Sequence, residues 1–227
     1  MDRSLRYKAR RLSFGVLVIF LCFHADKIQS STCDVLSIRT SITEYTQTER
    51  LLIGPLDVKN LALEVQILRF LRDPSLANFY PEVKSDPMEQ AAYQEKKARE
   101  YLKVLREGFY PYGNNKRFVL PVIAINPKTN QLVGTMHAKC NPGGMCLIKY
   151  AINPNVNGEK YGKELVGAVV SQLLAMPRIK EIKAIPLPDN LPSMKILEGL
   201  GFKRHKDDDI DSFGVHRAQM ILKKPTE

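Results

Sequence analysis

The 227-residue sequence has no CxxC pair, no histidine cluster with metal-ligand spacing, no internal repeat, and no apolar run long enough to span a bilayer comfortably. Each absence excludes something. The four cysteines, Cys22, Cys33, Cys140 and Cys146, and the four scattered histidines give no set of donors at the spacing a structural or catalytic metal needs, so no metal is expected. His205 and His216 bracket the acidic run DDDID, again without ligand spacing. The formal charge is +10, but basic residues are not interleaved with aromatics and no nucleic-acid-binding motif is present, so no nucleic acid is expected as a partner. Cys140 and Cys146 flank the turn NPGGM. Two free, half-buried thiols are expected there, with a bridge closing the turn as the alternative in an oxidising compartment.

What is present is an ordinary globular composition, 44% apolar, behind an unusual start. The first eleven residues, MDRSLRYKARR, supply +4 of the charge, and the remaining +6 suits a solvated surface, a phosphorylated ligand or an acidic partner. Residues 12–23, LSFGVLVIFLCF, fall short of the roughly 20 apolar residues of a membrane span but have the length and flanks of a signal-peptide core. The following HADKIQSSTC carries no A-x-A cleavage site. The expectation is a secreted or membrane-associated chain, with a cytoplasmic chain carrying an inert extension as the alternative. Residues 24–47 are polar and read as a linker, so residues 1–47 are set apart from a domain over 48–227.

Within that domain, LLIGPL (51–56) reads as a short strand, residues 60–71 and 88–107 as helices, and FVLPVIAI (118–125) and LVGTMHA (132–138) as a hairpin across NPKTNQ. MCLIKYAI (145–152) reads as a third antiparallel strand. A helix from about Gly158 to Ala175, a strand over 179–185, a helix over NLPSMKILEGL and a final alternating strand complete the order. A strand–helix–strand unit can make a parallel pair, and a sheet that turns from antiparallel to parallel can part between those two strands, leaving a slot that faces a helix N-terminus.

Three passages resemble one family. TERLLIGPL (48–56), the stretch Pro154–Leu165 with its NGEKYGKEL, and NLPSMKILEGLGF (190–202) are similar to the opening strand, pyrophosphate loop and last helix of the GNAT superfamily of acyl-CoA-dependent N-acetyltransferases, in the branch of the ribosomal-protein alanine acetyltransferases RimJ and RimL. The resemblance spans roughly residues 48–224. It implies an α/β (α+β) fold with a mixed, mostly antiparallel sheet of six to seven strands, a splayed central strand pair and helices on both faces. It also implies acetyl-CoA as co-substrate and an amine acceptor, a peptide N-terminus or a small amine.

Carried over residue by residue, the resemblance assigns the pantetheine arm to the backbone of Tyr150, Ala151 and Ile152, and the diphosphate to Asn157, Gly158, Glu159, Lys160, Tyr161, Gly162 and Lys163. Asn190 would bond the coenzyme arm, and Ser193 would protonate the leaving thiolate, Leu197 standing where many members have a tyrosine. The loop departs from the family pattern: Asn157 takes the first place, where the family has Gln or Arg, and Lys160 takes the inner glycine. Either its ammonium pairs with a phosphate, or its side chain crowds the slot and leaves a binding or interaction module without chemistry. For Asn190 a plain helix N-cap, and for Ser193 a hydroxyl turned back on its own helix, are the alternatives. The general base is not identifiable; Asp209, Asp211, Glu64 and Glu82 are weak candidates.

Overall fold

The computed structural model describes residues 45–79, 86–108, 110–112, 117–156, 159–205, 209–210 and 216–225. By contacts the chain divides into residues 1–36 and 37–227. The apolar run 12–23 lies outside the described residues, and among the described residues no helix is long and apolar enough to cross a membrane.

Local signals set the helices. Asn60 caps α1 (Leu61–Leu71) by accepting from the Leu63 amide at 3.0 Å, and Asp86 caps α2 (Pro87–Glu107) by accepting from Glu89 at 2.8 Å, with Pro87 opening the first turn. α3 (Tyr161–Ala175) and α4 (Leu191–Glu198) follow in the second half of the chain. Short 3₁₀ turns occupy Pro74–Phe79 and Pro154–Val156.

The strands are β1 (Thr46–Gln47), β2 (Leu52–Gly54), β3 (Tyr110–Tyr112), β4 (Arg117–Asn126), β5 (Gln131–Cys140), β6 (Met145–Ile152), β7 (Glu181–Ala184), β8 (Lys203–Arg204), β9 (Asp209–Ile210), β10 (His216–Arg217) and β11 (Met220–Lys223). One sheet of nine strands runs β1-β2-β4-β5-β6-β7-β11-β8, with β3 also on β4, while β9 and β10 make a separate pair. Among the described residues every pairing is antiparallel except β6 with β7. The six to seven strands expected become nine because β1, β3 and β8 are two or three residues long, too short to leave a period-two signal. Thr46 and Gln47, read as linker, are the edge strand; the Thr46 hydroxyl accepts from the Gln172 amide of α3. The tail read as one alternating strand is broken at Ala218–Gln219 into β10 and β11.

The alternation of side chains along β4–β6 divides the apolar residues between two faces. On one, Leu120, Val122, Met136, Ala138 and Ile148 meet Leu165, Val169 and Leu173 of α3 and Leu197 of α4. On the other, Ile123, Leu132 and Ala151 meet Ile67 and Leu71 of α1 and Ala98, Leu102 and Leu105 of α2. Each fully buried Leu or Ile contributes about 1.5–3 kcal/mol by leaving water, which is what fixes the helices to the sheet.

The expected half-buried thiols of Cys140 and Cys146 are corrected. The two residues stand directly opposite each other in the β5–β6 register and are joined by a disulfide, 1% and 0% exposed within the core under α3. Gly144, at φ +90°, makes the tight turn that brings them face to face; a Cβ there would lie 2.3 Å from the Arg178 carbonyl oxygen.

Candidate active site

β6 is eight residues long, but only its first four, Met145–Ile148, pair with β7. The other four, Lys149–Ile152, remain bonded to β5 on one side while the chain after Ala184 turns away through Ile185, Pro186 and Leu187. The strand pair therefore opens like a V. The opening is a cleft of about 1110 Å³ whose lining includes Tyr150, Ala151 and Ile152 on one wall and Leu187, Asn190 and Ser193 on the other.

α3 starts at the mouth of the V. Unlike the starts of the other helices, it has no side-chain cap: its N-cap position is Lys160, in the left-handed region at φ 59°. An exposed lysine in a conformation that favours glycine costs about 1 kcal/mol. Lys160, Tyr161 and Gly162 line the cleft, and Asn157 and Gly158 lie outside the described residues. A Cβ on Gly162 would stand 2.7 Å from Ile196 Cδ1 and 3.3 Å from Ile152 Cγ1, so the missing side chain lets the start of α3 sit between β6 and α4. Glu159 and Lys163 are off the cleft lining. The Glu159 carbonyl accepts from Arg50 Nη1 at 2.8 Å, and Lys163 reaches toward Gly199 at the end of α4.

Arg50 fastens this corner. Its guanidinium pairs with Glu164 (Nη2 to Oε2, 2.7 Å; Nε to Oε2, 2.8 Å) and lies 4.5 Å over the Tyr161 ring. The Arg50 amide and the Thr48 hydroxyl also donate to Glu164 Oε1, at 2.9 and 2.5 Å. Burial pushes the Glu164 carboxyl up, but these donors outweigh it and hold the group below its ordinary value.

Across the V, Tyr150 and Ser193 meet. The tyrosine oxygen is 2.7 Å from Ser193 Oγ and 3.4 Å from the Ser193 carbonyl oxygen. Burial pushes the Tyr150 hydroxyl up to about 12, with the Ser193 bond opposing it, so it stays protonated at any working pH. Asn190 is an N-cap: its side chain accepts from the Ser193 amide at 3.1 Å, and it also lines the cleft. Leu197 is 0% exposed in the core, away from the chemistry.

At the other end of the cleft, toward α2, the Tyr101 hydroxyl is 3.1 Å from His137 Nδ1. Burial, then Lys149 and Lys139, push the imidazole down to about 3, so it is neutral across the physiological range. Of the weak base candidates, Glu64 is 6% exposed and held by Arg106 through two bonds of 2.6 and 2.7 Å, the cation keeping its carboxyl below the ordinary range; it is structural. Asp209 is in β9, and Glu82 and Asp211 lie outside the described residues.

Residues 50–203, two thirds of the chain, match the acetyltransferase (GNAT) domain family. The chain belongs to the GNAT acetyltransferases. Among solved structures it is similar to a ribosomal-protein-S5-alanine acetyltransferase from Vibrio fischeri (13% identity, 79% of this chain and 96% of that one, TM-score 0.57). It is also similar to a spermidine N-acetyltransferase from Vibrio cholerae in complex with CoA and spermine (14%, 78% and 97%, 0.55) and to the aminoglycoside acetyltransferase AAC(6')-Ib with coenzyme A and kanamycin (17%, 77% and 95%, 0.54). At such identities these likenesses show the fold. No curated protein is similar in sequence at a significant level.

This GNAT chain is an acyl-CoA-dependent N-acetyltransferase. The V exposes the β6 edge over the length a pantetheine arm would lie along, and the uncapped start of α3 offers its first amides to a diphosphate. Lys160 forms part of the wall of the cleft. Two groups escaped the sequence reading. Tyr150 was considered only for its backbone, although its place between Ile148 and Ile152 puts its ring on the α3 face of β6. Tyr101 and His137 are 36 residues apart and share no local pattern.

Proposed function

We propose that the domain over residues 48–227 transfers an acetyl group from acetyl-CoA to a primary amine, on a peptide N-terminus or a small molecule. The observation that carries this is the Tyr150–Ser193 contact bridging the two walls where β6 and β7 part. Bound acetyl-CoA supplies a thioester whose carbonyl accepts the amine. The open backbone of Tyr150–Ile152 holds the arm, and one of its amides donates to the carbonyl oxygen as charge builds there. Ser193 Oγ–H donates a proton toward the leaving sulfur, and Tyr150 O–H donates to Ser193 Oγ behind it. Lys160, Tyr161 and Gly162 anchor the diphosphate, with Arg50 and Glu164 holding that corner in shape. The spermidine, ribosomal-protein and aminoglycoside enzymes of this fold take different amines, so the acceptor is decided by the wall toward α2.

Isothermal titration with acetyl-CoA tests the reading: binding in the micromolar range is expected, and no heat at millimolar ligand sinks it. The signal-like residues 12–23 are proposed to set where the domain works, which sequencing of the mature N-terminus checks.

A further inference from the structure

We infer that the acceptor carries an aromatic group beside its primary amine, and that the α2 end of the cleft is the pocket for that group. This rests on the transfer reaction proposed above and names its substrate class. Four half-buried apolar side chains carry it: Leu76 from the 3₁₀ turn, Tyr101 and Val104 from α2, and Leu147 from β6. Tyr101 and Val104 are three residues apart and share one face of their helix. Leu147 alternates with Lys149 and Ala151 onto the face of β6 that packs with α1 and α2. Apolar surface left open in a concave wall is what a bound apolar group covers. The wall belongs to the same cleft as Tyr150 and Ser193, so its occupant is held within the transfer site.

The charges point the same way. Among the described lining residues the carboxylates are Glu100 and Asp189. Lys97 holds Glu100 at 2.7 Å, and Asp189 stands just before α4, at the proposed coenzyme end. Lys139, Lys149 and Arg217 have partners of their own. A polyamine therefore meets no open carboxylate at the α2 end to receive its further cations, and would lose their hydration against an apolar wall. Tyr101 and His137 make the polar point of the pocket. The tyrosine hydroxyl is 3.1 Å from Nδ1, and the ring centroids lie 5.5 Å apart at an interplanar angle of 50°. An aromatic guest meets two tilted rings, an arrangement that favours edge-to-face contact. His137 is neutral, and Nε2 is the ring nitrogen left to share a hydrogen bond with the amine. The wall also serves the chemistry. An acceptor ammonium gives one proton to solvent; its nitrogen then forms the C–N bond as the thioester C–S bond breaks, and loses a second proton as the sulfur gains one. Desolvation beside the wall favours the uncharged amine that attacks.

The test uses the full chain saturated with coenzyme A. Two pairs of amines are titrated by calorimetry: tetrapeptides with N-terminal Phe or N-terminal Ser, and 2-phenylethylamine or ethanolamine. Spermine is titrated alongside. The aromatic member of at least one pair is expected to bind at least about tenfold tighter than its counterpart, with its affinity nearly unchanged as salt is raised from 0.05 to 0.5 M. Preference in the peptide pair alone assigns the pocket to a peptide N-terminus, and preference in the other pair alone to a small amine. Val104→Ser is expected to shrink the preference severalfold with coenzyme affinity unchanged; the paired titrations on the unaltered chain stand on their own if this variant does not fold. No preference in either pair overturns the inference, as does spermine binding as tightly as the aromatic amine, a tenfold fall of affinity with salt, or failure of all five to bind. Octanoyl-CoA binding the free chain at least about tenfold tighter than acetyl-CoA would seat an acyl chain on this wall and overturn it too. Failure of coenzyme A itself to bind overturns the transfer reaction, a separate result read before any acceptor is added.

Discussion

The end of the cleft proposed for the coenzyme and the end proposed for the acceptor are built in different ways. At the first, the walls come from two stretches of chain, Tyr150–Gly162 and Leu187–Ile196, and the corner is locked from outside by Thr48 and Arg50 on Glu164. At the second, single side chains arrive from α2, β5, β6 and β10, and Tyr101 of α2 meets His137 of β5 through a hydrogen bond. The coenzyme is the same for every enzyme of this kind, and a contiguous loop and helix start suffices to hold it. The acceptor differs from one enzyme to another, and a wall of separately supplied side chains can change one residue at a time without disturbing the sheet.

Substitutions probe the two ends separately. The largest effect is expected at the seam between the two ends. Ser193→Ala removes the proposed proton donor to the leaving sulfur and should lower kcat about 100-fold, with KM for acetyl-CoA within about threefold of the parent. Tyr150→Phe keeps the ring and loses the hydroxyl behind Ser193; kcat should fall about tenfold. The double variant should be no worse than S193A alone, because the two groups act in series. Additive losses in steady-state kinetics would show that Tyr150 works independently of Ser193.

Next in size is the lock on the coenzyme corner. Glu164 accepts from the Thr48 hydroxyl, the Arg50 amide and the Arg50 guanidinium, and is 15% exposed. Glu164→Ala leaves those donors without their acceptor and should cost about 2–3 kcal/mol in urea denaturation. Coenzyme affinity should weaken with it, because Arg50 also holds the Glu159 carbonyl and the Tyr161 ring. A variant that loses stability and keeps full coenzyme affinity would show that the lock serves the fold alone.

The two ends also differed in how far they could be read from the sequence, for a physical reason. Strand β6 was placed at its observed bounds, and α1 and α2 nearly so, because the NPGG turn before β6 and the long runs without Gly or Pro in the two helices are local signals. The parting of β6 from β7 followed from element order together with the family likeness. The Tyr150–Ser193 contact joins residues 43 apart, and the Tyr101–His137 contact residues 36 apart; no periodicity encodes either. The Cys140–Cys146 bridge ranked only as the alternative to free thiols because spacing around a turn does not say whether two cysteines fall opposite each other, and only the register does. Lys160 was the converse case: the sequence singled it out, and the left-handed backbone there explains why a glycine is usual.

At the acceptor end the expected effect is in pH dependence. His137 has a folded pKa of about 3, below the ordinary value near 6.5, chiefly through burial and then through Lys149 and Lys139. Between those values the unfolded chain binds one more proton than the folded one at this site, so stability rises with pH across the window and falls on acidification. The slope from one such group is up to about 1.4 kcal/mol per pH unit. Denaturation midpoints from pH 6.5 to 4 should show it, and His137→Gln should flatten the curve there while leaving any loss at still lower pH, where carboxylates such as Glu64 take up protons. An unchanged curve in H137Q would mean the imidazole is protonated in the folded protein.

The smallest effect is at Lys160, and it has two parts of opposite sign. Lys160→Gly relieves about 1 kcal/mol of left-handed strain and gives back about 0.4–1 kcal/mol through the looser unfolded chain, so stability should move by under about 0.5 kcal/mol. Coenzyme affinity should fall about three- to fivefold, the size of one exposed ion pair, if the ammonium reaches the diphosphate. Lys160→Met separates charge from backbone, since it keeps a side chain at φ 59° and removes the cation. Equal losses of affinity in K160G and K160M, both erased at 1 M salt, assign the effect to charge. A gain of affinity in K160G alone would instead mean that the side chain crowds the slot, and the lysine would then weaken a coenzyme site that the rest of the loop is shaped to hold.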